Sequence, residues 1–405
     1  MMAEYLPFSG IRVVDFGWVW AGALPGQILA DLGAEVIKVE SRKRLDFMRW
    51  GRPIIGDRPD PDQNHMFHNI NRNKLSITVD ITHPEGQRLL KELISRSDIV
   101  VENFAPGFMA RVGLDYESLR AIKPDIIMIS MSAAGQTGPL SQIRSYAAII
   151  AALSGLDAMV GYPGGEPIGM QQAYCDPHAS LMGALAVVAG LLYRRRTGRS
   201  LYIDLSQWEA AVCTIGEAII DFEMNGRLRG PEGNHEPGIA PCGNYPCREP
   251  DTWVSIAVKT DTEWEALVNA MGSPEWGLDP RFATVMGRLA NREALDRLVG
   301  EWTRQYTRYE VTERLQAAGI AAAPLLDHQA RYFDPHFRER GVYVEVEHPI
   351  LGSEPIYSLP WKADGTRGRL RRAPLLGEHN EYVFCRILGL SKEEFDRLVA
   401  EKVIY

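Results

Sequence analysis

Between residues 11 and 132 short apolar runs alternate with amphipathic segments, and that alternation leaves the chain few folds to choose from. IRVVDF (residues 11–16), EVIKVE (35–40), KLSITVD (74–80), DIVVEN (98–103) and DIIMISMS (125–132) have the length and β-branched content of buried strands. Helices are expected between them. One has Pro25 in its first turn and ends before Gly33. A second has Thr82 as N-cap, with Pro84 and Glu85 in its first turn, and a third covers 115–122. Strand, helix, strand in steady succession gives parallel strands with right-handed crossovers. LYIDL (201–205) continues the series, and Ser206 is placed to cap a long helix to about Met224. The expectation is a doubly wound, Rossmann-like α/β domain over residues 1–225. Its ligands should bind beyond the carboxyl ends of the strands. The loop after the first strand, Gly17-Trp18-Val19-Trp20-Ala21-Gly22, lacks GxGxxG, so the dinucleotide fingerprint is absent.

The 405 residues exceed one typical domain. The Gly/Pro-rich stretch 226–250 has no apolar periodicity and reads as a linker or a functional loop. Residues 226–330 form a smaller α+β domain with its linkers, and 331–405 return to complete the large domain. Residues 41–73 read as a wrapping loop without helix or sheet. They hold Arg42, Lys43, Arg44, Arg49, Arg52 and Arg72, either a solvated surface or a clamp for a phosphorylated ligand.

A net charge of −8 and a pI near 5.7 argue against nucleic acid as the main ligand. MMAEYLPFSG lacks the pattern of a signal peptide, and the apolar run 179–193 is too short to span a bilayer. Five cysteines without a CxxC or ligand spacing suggest a reducing, cytoplasmic setting and no metal site.

The stretch Tyr174-Cys175-Asp176-Pro177-His178 precedes the small-residue run ASLMGALAVVAGLLY (179–193). Proline suits the first helical position, which makes Asp176 the expected N-cap. An ionised, oriented carboxylate there could be only a cap, or it could be a nucleophile that forms an acyl intermediate.

The ordered motifs GIRVVDF (10–16), LGAEVIKVE (32–40), NKLSITVD (73–80), PEG (84–86), VVENFAPG (100–107), GQTGP (135–139), RRRTGRS (194–200), LYIDLSQWEA (201–210) and RAPLLGEH (372–379) run almost end to end. The chain resembles the family III CoA-transferases, which include formyl-CoA and carnitine CoA-transferases, and more weakly the benzylsuccinate type. The resemblance implies an interlocked dimer, or a heteromer with a homologous subunit. It implies CoA and acyl-CoA as substrates and no permanently bound cofactor. Asp176 matches the family nucleophile, which forms an aspartyl anhydride and then an aspartyl-CoA thioester. CoA contacts map to Val19, Ala21, Arg42, Leu75, Asn103, Phe104 and Arg111. The family's glycine lid falls near Gly233, Asn234, His235 and Gly238, with fewer consecutive glycines here.

Three positions depart from formyl-CoA transferase: Trp20 replaces Gln, Ser41 replaces Arg and Ser132 replaces Lys. Trp18, Trp20 and Tyr146 could face a bulky or aromatic acyl group, or pack in the core. Succinyl-CoA is the expected donor. A 2-methylacyl-CoA racemase would need a His base where this chain reads Arg144-Ser145-Tyr146-Ala147. A CoA-binding subunit of a heteromeric transferase is the other alternative.

Overall fold

The computed structural model describes residues 6–51, 60–363, 367, 368 and 370–405. The chain divides into two compact units. The first comprises the described residues up to Asp157, Gly169–Leu228 and Arg338–Tyr405; the second comprises Ala158–Ile168 and Arg229–Phe337. Residues 158–168 therefore belong with the second unit, although they precede it in the chain by 60 residues and more.

The first unit carries a six-stranded parallel sheet: β1 (Arg12–Asp15), β2 (Glu35–Glu40), β3 (Leu75–Thr78), β4 (Ile99–Glu102), β5 (Ile127–Ser132) and β6 (Leu201–Ser206), in the order β3-β2-β1-β4-β5-β6. The strand order reverses between β1 and β4, which opens a crevice above their carboxyl ends. Val14, Ile37, Ile77 and Val100 pack on one face against Leu89, Leu90, Leu93 and Phe384. Val13, Val36, Ile99, Ile127 and Ile129 pack on the other against Leu29, Ala179 and Val187.

β3, at the edge, is closed by the end of the chain. Thr78 N donates to Asn380 Oδ1 at 2.8 Å, His379 N to Ser76 O at 2.9 Å, and Asp80 N to Val403 O at 2.8 Å. An exposed row of unpaired backbone groups is thereby removed.

The second unit has an antiparallel sheet, β7 (Cys242–Pro246), β8 (Trp253–Ala257) and β9 (Ala321–Pro324). Helices Asp261–Ala270, Arg292–Thr303 and Arg308–Ala317 cover it around Trp264, Leu267, Leu295 and Trp302. β7 corrects the expectation that 226–250 is irregular throughout. The hairpin β10 (Tyr343–His348) and β11 (Gly352–Tyr357) belongs to the first unit.

Several local expectations are overturned. The first helix begins at Val19 and runs to Asp31, so Pro25 is well inside it. A proline has no N–H for the carbonyl four residues earlier. That carbonyl, Ala21 O, is instead 3.2 Å from Ser180 Oγ. Residues 41–73 contain the helices Phe47–Trp50 and His65–Asn71, while Arg52 lies outside the described residues. His83, not Thr82, caps the helix Pro84–Ser95, because Thr82 donates its hydroxyl to Asp80. The helix after Ser206 is broken into Gln207–Val212 and Gly216–Asn225.

The arginine cluster also separates. Arg49 is fully buried in a two-point pair with Glu40, at 2.6 and 2.7 Å, and lies 3.6 Å from the centre of the Phe67 ring. Arg72 pairs with Asp31 and Lys43 with Asp80. Arg42 and Arg44 remain exposed.

Four buried charges knit β1, β2 and β3 to the first loop. Lys74 Nζ donates to Asp15 Oδ2 (2.7 Å), Ala23 O (2.6 Å) and Asn71 Oδ1 (2.9 Å). Lys38 Nζ donates to Gly17 O at 2.5 Å and lies 3.5 Å from Asp46 Oδ2. Asp15 Oδ1 accepts from Gly17 N at 2.7 Å. Removing one partner from such a buried pair leaves an unpaired charge. Lys74→Met is therefore expected to destabilise the sheet-bearing unit by about 3–5 kcal/mol, read as a lower guanidinium midpoint for its unfolding transition.

Candidate active site

The loop after β1 is held by side chains from three other places. Asn103, just past β4, grips the backbone of Trp18 on both sides: its Oδ1 accepts from Trp18 N (2.8 Å) and its Nδ2 donates to Trp18 O (3.0 Å). Asp46 accepts from Val19 N with both oxygens at 3.2 Å. Val19 consequently sits at φ +54°, a left-handed conformation that is costly for a β-branched residue. The packing permits no larger residue at two glycines. A β-carbon on Gly17 would lie 2.0 Å from Gly22 O, and one on Gly22 would lie 2.3 Å from Asn103 Oδ1.

Above this loop opens a cleft of about 900 Å³, lined within the first unit. Val19, Ala21, Asn103, Phe104, Ser132, Tyr146, Asp176 and Gln207 face it, with Arg44 and Arg144. Neither arginine has an ion-pair partner among the described residues. Arg44 lies over the Trp18 ring, 5.2 Å from its centre.

Asp176 enters the cleft from the helix Cys175–Thr197. It is not the N-cap. Tyr174 holds that position in a helical conformation, and Pro177 is the third helical residue. The hydrogen bonding starts upstream, with Asp176 N donating to Ala173 O and His178 N to Tyr174 O, each at 3.2 Å. The carboxylate is thus not drawn back onto its own helix, and no described residue donates to it. Burial raises its pKa to about 6. The carboxylate is still mostly ionised at neutral pH, but burial works against its charge where a capping position would have favoured it. His178 is not poised as a base, since its Nε2 is 3.0 Å from Ala210 O.

The 23-residue helix is long and apolar enough to cross a membrane by length and composition, a correction to the reading of its apolar run as too short. It packs through Ala179 and Val187 against the sheet.

The remaining sequence candidates are dispersed. Trp18 meets Phe104 edge-on at 5.9 Å, and Trp20 packs beside Ala23, Met48 and Phe67; neither lines the cleft. Arg111 lies over Phe108, and Arg42 is exposed outside the lining. Leu75 begins β3 at the amino ends of the strands, beside a second cavity of about 720 Å³. Gly233, Asn234, His235 and Gly238 lie in the second unit, where His235 Nε2 is 3.1 Å from Asp296. Arg144, Ser132 and Gln207 line the cleft without having been candidates, and Arg44 lines it as one member of the proposed anion clamp. Arg44 carried a signal in its basic cluster, and Arg144 in its lack of a nearby acidic residue.

The family model for CoA-transferase family III matches residues 8–380. The chain belongs to CoA-transferase family III. It is 35% identical over 400 residues to the succinyl-CoA–D-citramalate CoA-transferase of Chloroflexus aurantiacus, covering 98% of each chain. It is 34% identical to the beta subunit of the succinyl-CoA–L-malate CoA-transferase of the same organism, again covering 98% of each. A crystal structure of a CAIB/BAIF family protein from Brucella suis superposes with a TM-score of 0.87 at 32% identity, covering 95% of this chain and 100% of that one. The chain is accordingly an enzyme of the CoA-transferase type, and the crevice above β1 and β4 is its candidate active site.

The raised pKa of Asp176 fixes the sign of two pH effects. Below about pH 4 the carboxyl is protonated whether the chain is folded or not. As pH rises through about 6 the folded protein must ionise a buried group, and about 3 kcal/mol of stability is lost. Asp176→Asn should therefore be more stable than wild type at pH 8 and equal to it near pH 4, by thermal denaturation. Wild-type kcat/KM should fall about tenfold per pH unit below 6.

Proposed function

We propose that this enzyme moves CoA from succinyl-CoA to a second dicarboxylic acid through covalent intermediates on Asp176. One observation carries the reading: a carboxylate to which no described residue donates opens into a cleft at the strand-order reversal, in company with two arginines that lack ion-pair partners among the described residues. The Asp176 carboxylate attacks the thioester carbonyl, the C–S bond breaks, and a mixed anhydride and CoA thiolate result. The thiolate then attacks the Asp176 carbonyl and releases succinate. The acceptor carboxylate attacks the aspartyl thioester, and the thiolate finally takes the acceptor's acyl group and frees Asp176. Val19, Ala21, Asn103 and Phe104 would flank the pantetheine arm, with Arg42 and Arg111 reaching for phosphates.

A dicarboxylic acceptor fits better than the bulky or aromatic acid suggested by Trp18 and Trp20. Those rings pack against other side chains, whereas Arg44 and Arg144 face the cleft and can pair a distal carboxylate. The named relatives use succinyl-CoA with D-citramalate or L-malate, both dicarboxylic. The five unpaired cysteines fit a reducing compartment, and we place the enzyme in the cytoplasm.

Incubation with succinyl-CoA and hydroxylamine should inactivate wild type and convert Asp176 to a hydroxamate, found by peptide mass spectrometry. Asp176→Ala should be inert throughout. In a panel of acids, four- and five-carbon dicarboxylates should outcompete monocarboxylates. Label-free Asp176 in active enzyme would overturn the covalent route.

A second copy of the chain is the proposed cover for an apolar surface. The helix Gly216–Asn225 buries none of its residues, yet Ile220 is 58%, Met224 76% and nearby Leu228 84% exposed. Patches of this kind mark association surfaces. The match to one subunit of the L-malate enzyme favours a heteromer as the second reading. Light scattering on the purified chain should give a dimer, and Ile220→Glu with Met224→Glu should give monomers. A wild-type monomer that gains activity only with a homologous chain would establish the heteromer instead.

A further inference from the structure

We infer that Glu102 is a positioning residue for CoA: it holds the turn that carries Asn103 and Phe104 to the cleft, without touching the substrate itself. The inference rests on the reading that Asn103 and Phe104 flank the pantetheine arm, and it adds the side chain that sets their backbone.

Glu102 is the last residue of β4, beside the strand-order reversal, and is 3% exposed. Its Oε2 accepts from Phe104 N, two residues on, at 2.7 Å. Asn103 lies between them and grips Trp18 N and O, and Phe104 meets the Trp18 ring edge-on. Both residues line the cleft. The carboxylate therefore closes a turn whose two other members face the ligand space. Asp15 does the same at the end of β1, where it accepts from Gly17 N. The two strands that flank the reversal thus each end in a carboxylate that fixes the N–H two residues ahead.

The counter-charge separates the two. Asp15 has Lys74 at 2.7 Å, whereas no described cation pairs with Glu102. Alternation along β4 turns Glu102, like Val100, to the sheet face away from the helix Cys175–Thr197. There Ser130, its in-register partner on β5, favours the ionised form, as Phe104 N does. Asp204 on β6 opposes it, and Asp115, Tyr116 and Tyr202 line the same small cavity of about 120 Å³. Burial prevails and raises the pKa to about 7. Such a carboxyl weakens the fold when ionised, and an apolar side chain would fill the space at lower cost. What an apolar side chain could not supply is the bond to Phe104 N. A turn fixed before CoA arrives spares the ligand the cost of ordering it. That gain applies equally to bound substrate and transition state, so it belongs to KM and not to kcat.

The test compares Glu102→Met, which removes the acceptor, with Glu102→Gln, which keeps an acceptor oxygen without the charge. Free CoA is titrated calorimetrically against each purified chain, and kinetics are run with succinyl-CoA and a dicarboxylic acid. The methionine variant should bind CoA about tenfold more weakly, with a matching rise in KM for succinyl-CoA. Its kcat and its KM for the acid should stay within about threefold of wild type, and glutamine should restore CoA affinity to within about threefold. At pH 8 both variants should melt no lower than wild type, because a raised pKa means stability lost as pH rises through about 7. The Phe104 N–H of wild type should exchange slowly with deuterium, and rapid exchange there would overturn the inference without any variant. So would wild-type CoA affinity in Glu102→Met. A loss of affinity that comes with a lower melting temperature, and that glutamine does not rescue, would also overturn it, as the mark of a packing role. Phe104→Ala separates the inference from its foundation. Unchanged CoA affinity there would refute the placement of the pantetheine arm. Weakened affinity there, with Glu102→Met at wild-type affinity, would refute only the role of Glu102.

Discussion

Asp15 and Lys74 meet at 2.7 Å with neither side chain touching solvent, and the cleft is built outward from that pair. Burial alone would push Lys74 toward neutrality, and its pKa is lowered to about 8 despite the facing carboxylate. What the pair gains is position. Asp15 fixes Gly17 N in the first loop, and Lys74 fixes Ala23 O early in the helix that follows it. Lys38 and Asp46 fix the middle. A loop tied at so many points can hold Val19 in a strained conformation, and that strain sets the backbone line of the cleft. The same interactions would be a poor way to add stability, since a packed apolar core does that with less risk. They are a good way to fix a backbone that must meet a ligand.

Asp176 shows the opposite economy. Its helix gives it no hydrogen bond, and burial disfavours its charge. That condition suits the nucleophilic role proposed for it, since a carboxylate already satisfied by N–H donors is a weak nucleophile. The protein tolerates a destabilised charge at Asp176 and places its strong pairings around the first loop instead.

How far the sequence disclosed this depends on the scale. Strand and helix order was legible because short β-branched apolar runs and the helix-boundary residues between them are local signals, and β1 to β6 lie close to where those runs place them. Asp176 was legible as a special residue from its place before a small-residue helix. Its role as a cap was misjudged, because Pro177 is a valid signal for the first helical turn and the turn at Gln172 to Tyr174 simply starts the helix earlier. Pro25 misled for a related reason: the sequence cannot show that Ser180, far along the chain, stands beside the carbonyl that proline leaves without a donor. Arg49 read as surface charge because its partner Glu40 belongs to a strand whose apolar run conceals it. Arg44, Arg144 and Ser132 were invisible as a group. They come together only when three loops converge above the sheet.

The closure of β3 by residues near 380 and 404 has a consequence for biosynthesis. Thr78 is joined to a residue 302 positions later. At roughly 5–20 residues per second, the ribosome needs about 15–60 s to deliver that partner. Through that interval a nascent chain presents β3 as a naked edge, open to pairing with another chain. Truncations that spare every cleft residue but lose residues 379–405 should thus fail in the cell through aggregation, before any question of chemistry arises.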